Sequence, residues 1–255
     1  MTLSARGLSA RYGHGPLVLH DVDLDVAPGE TVGVCGPSGS GKSTLARILA
    51  LLHEPSTGSL TVDGTHVRRW GLAAPAALRR RTGVVFQSPR ASVDPRFDLH
   101  AVIAEPLTSG HRRARGAVVD ELAASTGLAP ELLARRAHQV SDGQLQRACL
   151  ARAIATTPAV LVCDEMTAML DASSTAQLVH EVRRWQTRTG AAVVAVSHDT
   201  GLLQRWADRV LVLDAGRLSG DQAVDAGRRL ATAAGEAGRQ PSAAQRMSGN
   251  RALPC

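Results

Sequence analysis

Residues Gly36-Pro37-Ser38-Gly39-Ser40-Gly41-Lys42-Ser43-Thr44 fit the pattern G-x-x-x-x-G-K-[ST]. Their surroundings match what that pattern needs. Before them lies a short apolar run, Thr31 to Cys35, that reads as a buried strand. After them Leu45, Ile48, Leu49 and Leu52 recur at i, i+3, i+4 and i+7, one apolar face of a helix. A strand that runs into a glycine-rich loop and restarts as a helix aims consecutive backbone N–H groups and a helix N-terminus at one point, which suits an anion. Glycine lets the backbone wrap closely around phosphate. Lys42 would place a point charge on the β- and γ-phosphates of a nucleotide, and Ser43 is an oxygen ligand for Mg²⁺. Of the 29 basic residues 28 are Arg, and Lys42 is the one Lys. A Gly/Ser loop matching by chance has no reason to hold that lysine in the motif position.

The rest of the chain reads as α/β. Residues 2–26 are strand-like: Val22, Leu24 and Val26 alternate with Asp21, Asp23 and Asp25, a half-buried pattern. Further strands are expected at 59–63, 83–87, 159–163, 192–196 and 210–213. Helices are expected at about 173–188 and 200–206. Strands alternating with helices imply a mainly parallel sheet. The N-terminal strands would form an antiparallel subdomain. From about 88 to 150 strand runs vanish, and Ala, Leu and Arg dominate at helical spacing, so an inserted helical subdomain is expected. The folded domain would span 1–218. From Ser219 onward a fraying helix and then a disordered tail are expected, because Ala, Gly, Ser, Pro and Arg alternate there without period.

Composition excludes other classes. With 44% hydrophobic and 20% charged residues the chain is neither collagenous, mucin-like nor wholly disordered. A net charge of +6 permits an anionic partner and requires none. Cys35, Cys149, Cys163 and Cys255 are far apart, and three sit in apolar stretches. They argue against a disulfide framework and a zinc site. The N-terminus has no apolar signal core, and no apolar run approaches the roughly 18 residues of a membrane span. A soluble protein that docks on something else is the expectation. The Arg clusters 79–81, 112–115 and 135–136 read mostly as solvated faces, some of them able to meet a partner protein or lipid headgroups.

A second chemical element is Ala159-Val-Leu-Val-Cys-Asp164-Glu165, an apolar strand ending in two acids. Alone, such a pair is often a solvated strand edge. Beside a phosphate loop, Asp164 would hold Mg²⁺ through its water shell and Glu165 would polarise the attacking water.

At this point the chain resembles the ATP-binding subunits of ABC transporters, from about residue 3 to 218. The most diagnostic stretch is Val140-Ser141-Asp142-Gly143-Gln144-Leu145-Gln146-Arg147, similar to the family's Leu-Ser-Gly-Gly-Gln signature. Read alone it is only a helix start, with Ser141 or Asp142 as cap. The resemblance implies that Ser141, Gly143 and Gln144, with Asp171 after Leu170, contact the nucleotide held by the opposite subunit of a dimer. It implies that Gln87 touches Mg²⁺ or water, and that His198, in Ala195-Val-Ser-His198-Asp199, meets the γ-phosphate. It also sets Tyr12 against adenine, with core packing as the competing reading. Asp142 stands where the family has glycine. Met166-Thr-Ala-Met169 departs from the family's Pro-Thr-Ser-Ala.

Phe86-Gln-Ser-Pro-Arg-Ala-Ser-Val-Asp-Pro-Arg96 resembles a stretch of importers for oligopeptides, dipeptides and nickel. The Pro- and His-rich C-terminal motif of the peptide members is not found, which leans toward the nickel type. The resemblance implies ATP and Mg²⁺ as cofactors and a location on the cytoplasmic face of the membrane. Its implied partners are a second ATPase subunit, two permeases and an extracytoplasmic substrate-binding protein, without nucleic acid. Two rivals stand beside it. One is a regulatory subunit with a degenerate site, motivated by Asp142 and the altered 166–169 loop. The other is a non-transport ATPase acting on nucleic acid or ribosomes.

Overall fold

In the computed structural model, which describes residues 1–107 and 112–223, the chain folds as two sheets with a helix between them. The strands are β1 (Leu3–Arg11), β2 (Leu17–Val26), β3 (Thr31–Cys35), β4 (Thr57–Val62), β5 (Thr65–His66), β6 (Thr82–Val85), β7 (Val160–Asp164), β8 (Ala192–Val196), β9 (Arg209–Asp214) and β10 (Arg217–Ala223). The helices are α1 (Lys42–Leu49), α2 (Ala76–Arg79), α3 (Leu99–Ala104), α4 (Arg112–Ser125), α5 (Asp142–Ile154), α6 (Ala172–Thr189) and α7 (Thr200–Trp206). One sheet is antiparallel, in the order β2-β1-β4-β5. The other, β10-β9-β3-β8-β7-β6, is parallel from β9 to β6.

The alternation in β2 does what its pattern predicts: Val22, Leu24 and Val26 are buried, while Asp21 and Asp23 are exposed. The short apolar runs behave differently. Every residue of β3, β7 and β8 is buried, because these interior parallel strands are covered on both faces. Helix α1 packs against β7, β8 and β2, and so joins the two sheets through Leu45, Ile48 and Leu49. Helices α6 and α7 cover the opposite face of the parallel sheet with Val182, Trp185, Leu203 and Trp206. A third cluster, with Val102, Ile103, Val119 and Leu145, holds α3, α4 and α5 together. Each fully buried Leu, Val or Ile of this kind contributes about 1.5–3 kcal/mol.

Several expectations shift. Helix α1 stops at Leu49, and Leu51 takes φ 62, so Leu52 leaves the apolar face and is half exposed. The run 83–87 is a strand only to Val85, so Phe86 and Gln87 form a loop. The last helix of the helical region continues past residue 150 to Ile154. β5 and α2 have no strong period, so their sequences do not mark them. Residues 219–223 belong to β10 (Arg217–Ala223) rather than to a fraying helix. The edge of β9 offers unpaired backbone groups, and Ala215 and Gly216, both at positive φ, turn the chain back onto it. The expected disordered remainder, 224–255, lies outside the described residues, as does Cys255. Cys35, Cys149 and Cys163 are free and buried.

Candidate nucleotide-binding site

The loop 36–41 leaves the end of β3 and enters α1. Gly36 has φ 153, and a Cβ there would lie 2.0 Å from the Leu213 carbonyl oxygen; Gly41 has φ 105, and a Cβ would meet Leu19 and Val18 within 2.9 Å. Only glycine fits either position, which explains their place in the motif. Lys42 is 6% exposed, and its ammonium donates to the carbonyl oxygens of Gly36 (2.9 Å) and Pro37 (2.8 Å). The loop thus curls around its own lysine. The buried Ser40 hydroxyl finds no protein partner, an orphan inside the cradle.

Above the loop is an open cleft of about 450 Å³, lined by Val18, Ser38, Gly39, Gly41, Lys42, Ser43, Thr44, Gln87, Glu165 and His198. Asp164 and Glu165 leave β7 beside it. The Ser43 hydroxyl donates to Asp164 at 3.4 Å. Burial pushes the Asp164 carboxyl above its ordinary range, opposed by the Ser43 hydrogen bond, while Glu165 adds a further upward push. Glu165 sits at φ 49, sparsely populated for a non-glycine residue, with its amide donating to Val196 O at 2.9 Å. Its carboxylate is 3.5 Å from His198 Nδ1, and the His198 side chain is 66% exposed.

Tyr12 is not a core residue. It is 46% exposed, its ring leans on His53 with centroids 4.8 Å apart, and its hydroxyl shares a 3.1 Å hydrogen bond with Thr44 in the first turn of α1. Neither Tyr12 nor the second group, Ser141, Gly143, Gln144 and Asp171, is among the residues lining the cleft. Ser141 caps α5: its hydroxyl accepts from Gln144 N (3.2 Å), and the Gln144 side chain accepts from Ser141 N (3.0 Å). Asp171 caps α6 by accepting from the Ser174 amide and hydroxyl, and these bonds hold its carboxyl below the ordinary range. Met166 is buried at 3%, and Met169 is 59% exposed.

Two residues escaped sequence reasoning. Gln146, 1% exposed on α5, donates from Nε2 to Phe86 O and to Met166 O, both at 2.9 Å. It ties the loop after β6 to the loop after β7. Arg90, in the turn that follows Gln87, forms an ion pair with Asp142. No local period marks either residue. A Gln at a position that helical spacing would make buried was the one available signal.

Fold and cleft together define a phosphate-loop nucleotide-binding protein with an inserted helical region. Residues 19–168 match the ABC transporter family, and the chain belongs to it: it is an ATP-binding, ATP-hydrolysing subunit of an ABC transporter. It is 37% identical over 233 residues to the nickel import ATP-binding protein NikE of Shigella boydii, covering 87% of each chain. It is 41% identical over 218 residues to a putative peptide import ATP-binding protein of Brucella abortus, covering 83% of this chain and 65% of that protein. Among solved structures it resembles the dimeric MJ0796, a bacterial ABC transporter cassette, with TM-score 0.78, 25% identity and coverage of 88% of this chain and 99% of that one.

Proposed function

We propose that the chain is one half of an ATP-driven dimer powering import of peptides or nickel through two membrane permeases. The 86–96 stretch and relatives named for nickel and peptide import support the cargo class. The reading is carried by one observation: Lys42, Ser43, Gln87, Glu165 and His198 converge on one cleft, with Asp164 bonded to Ser43 behind it. The working unit runs through β10 to residue 223, with the helical arm ending at Ile154. The second subunit is a copy or a paralogue, a substrate-binding protein delivers cargo outside, and the complex sits on the cytoplasmic face of the membrane. Among the described residues no helix is long and apolar enough to cross a membrane.

Binding follows from the cradle. The Lys42 ammonium exchanges the Gly36 and Pro37 carbonyls for phosphate oxygens, while the loop and the α1 N-terminus turn backbone N–H groups toward the same anion. Tyr12 offers a ring face to adenine, worth about 1–3 kcal/mol by analogy with base–aromatic stacking. Ser43, Asp164 and Gln87 form an all-oxygen donor set that suits Mg²⁺ and would hold it. When bound, that ion neutralises charge on the β- and γ-phosphates. Glu165 accepts a hydrogen bond from water and aligns it with the γ-phosphorus. As the water oxygen bonds to phosphorus and the bond to ADP breaks, the water proton passes to the carboxylate. His198 donates to a γ-phosphate oxygen and stabilises the developing charge. Ser141, Gly143, Gln144 and Asp171 serve the nucleotide of the other subunit.

Two measurements test this. Magnesium-dependent ATP hydrolysis by the chain with its co-expressed partners is expected to vanish in Lys42→Ala. Equal rates in wild type and variant would overturn the site. Cells lacking the chain are expected to lose uptake of labelled nickel or of labelled peptides. Undiminished uptake of both would overturn the cargo class.

A further inference from the structure

Asp142 places a carboxylate in the segment that, on the reading above, faces the triphosphate of the neighbouring subunit. The structure shows where that charge goes. Arg90 Nε lies 2.7 Å from Asp142 Oδ1. The two other nitrogens of the same guanidinium donate to Ala137 O (2.7 Å) and Val140 O (3.1 Å), carbonyls just before the α5 cap. Two guanidinium nitrogens therefore hydrogen-bond the carbonyls while the Nε edge meets Asp142 as an ion pair, an arrangement a lysine ammonium cannot copy. Arg90 itself stands three residues beyond Gln87, in the turn Arg90–Ser92, and the same turn is held again where Arg152 donates to Ser92 O at 2.7 Å. Both members of the pair are nearly half exposed, 47% and 44%, so the contact does little for stability. Its value is positional.

We propose that Arg90 is a positioning residue that turns and neutralises the Asp142 carboxylate, making an acid tolerable in the signature segment. The proposal rests on the dimeric reading of that segment. With Asp142 held back, the Ser141 cap and the backbone of Gly143 remain available to the incoming phosphate. Asp142 takes no part in contacting nucleotide. Released, its charge would stand against the γ-phosphate and oppose closure of the dimer. The pair also binds the loop bearing Gln87 to the signature helix, so the two would move together.

The test is ATPase kinetics of the full chain assembled with its partner subunits, with wild type and Lys42→Ala as references. Arg90→Ala is expected to raise the KM for ATP by about tenfold or more, the scale of one uncompensated charge near a protein surface. Added salt should shrink that defect, because repulsion is screened. The doubles Arg90→Ala/Asp142→Asn and Arg90→Ala/Asp142→Gly are expected to return KM to within about twofold of wild type. An unaltered KM in Arg90→Ala overturns the proposal, and so does a defect that persists in both doubles, which would assign Arg90 to holding the Ala137 and Val140 carbonyls alone. Equal rates for wild type and Lys42→Ala would instead overturn the nucleotide site, and this inference with it.

Discussion

Replacing Gln146 with Leu should lower stability and hydrolysis together, and the size of the first effect can be worked from contacts. The amide nitrogen donates to two backbone carbonyls, Phe86 O and Met166 O, each at 2.9 Å. Both acceptors are carbonyls, so the nitrogen must face them. Leu has a similar volume and no donor. Each lost bond and stranded carbonyl costs about 1–1.5 kcal/mol, so about 2–3 kcal/mol in all. The apolar replacement also removes the buried Oε1, which has no protein partner, and this trims the loss. For a chain of this size the thermal midpoint should fall by about 5–10 °C, with a parallel drop in the urea midpoint. Hydrolysis should fall more than ATP binding, because the loops released are those of Gln87 and Glu165, whereas the phosphate cradle is untouched. Urea unfolding and ATPase assays read both effects. An unchanged urea midpoint with an unchanged turnover number would refute the reasoning. Gln146→Glu offers a check of sign: only its protonated form donates, so its folded pKa rises. Its stability should then be lower at pH about 8 than at about 5.5.

The other predictions concern single groups. Glu165→Gln should keep ATP binding and lower turnover by about a hundredfold or more, read by comparing nucleotide binding with phosphate release. Asp164 has a raised folded pKa, so the native state binds more protons than the unfolded chain and stability falls as pH rises from the ordinary aspartate value through the raised one. Without nucleotide, Asp164→Asn should therefore raise the urea midpoint at neutral pH while removing Mg²⁺-dependent stabilisation by ATP. Burial raises the thiol pKa values of Cys35, Cys149 and Cys163. Mapping a thiol reagent by peptide mass should find all three unlabelled in the native chain and labelled in urea.

Much of the site was legible locally, because its chemistry is written in short stretches. The loop 36–44 combines glycines at positions with no room for a Cβ and a lysine that folds back on the loop carbonyls, and both follow from neighbours in sequence. The apolar runs of β3, β7 and β8, the alternation of β2 and the period of α6 and α7 needed no distant partner to be read. Leu52 and residues 219–223 depart from their local pattern because their fate is set by others: a helix end decides the exposure of Leu52, and the open edge of β9 recruits β10.

What could not be read from the chain in one dimension is what lies between segments far apart in it. Helical spacing places Gln146 on α5 but says nothing of Phe86, 60 residues earlier, or Met166, 20 residues later. Asp142 looks like a defect in its motif until Arg90 is found beside it. Backbone patterns are local, since they follow from dihedral preferences and the repeat of apolar side chains. Charge pairing and the filling of a buried donor depend on which surfaces the packed sheet and helices bring within about 3 Å, and that is a property of the folded chain alone.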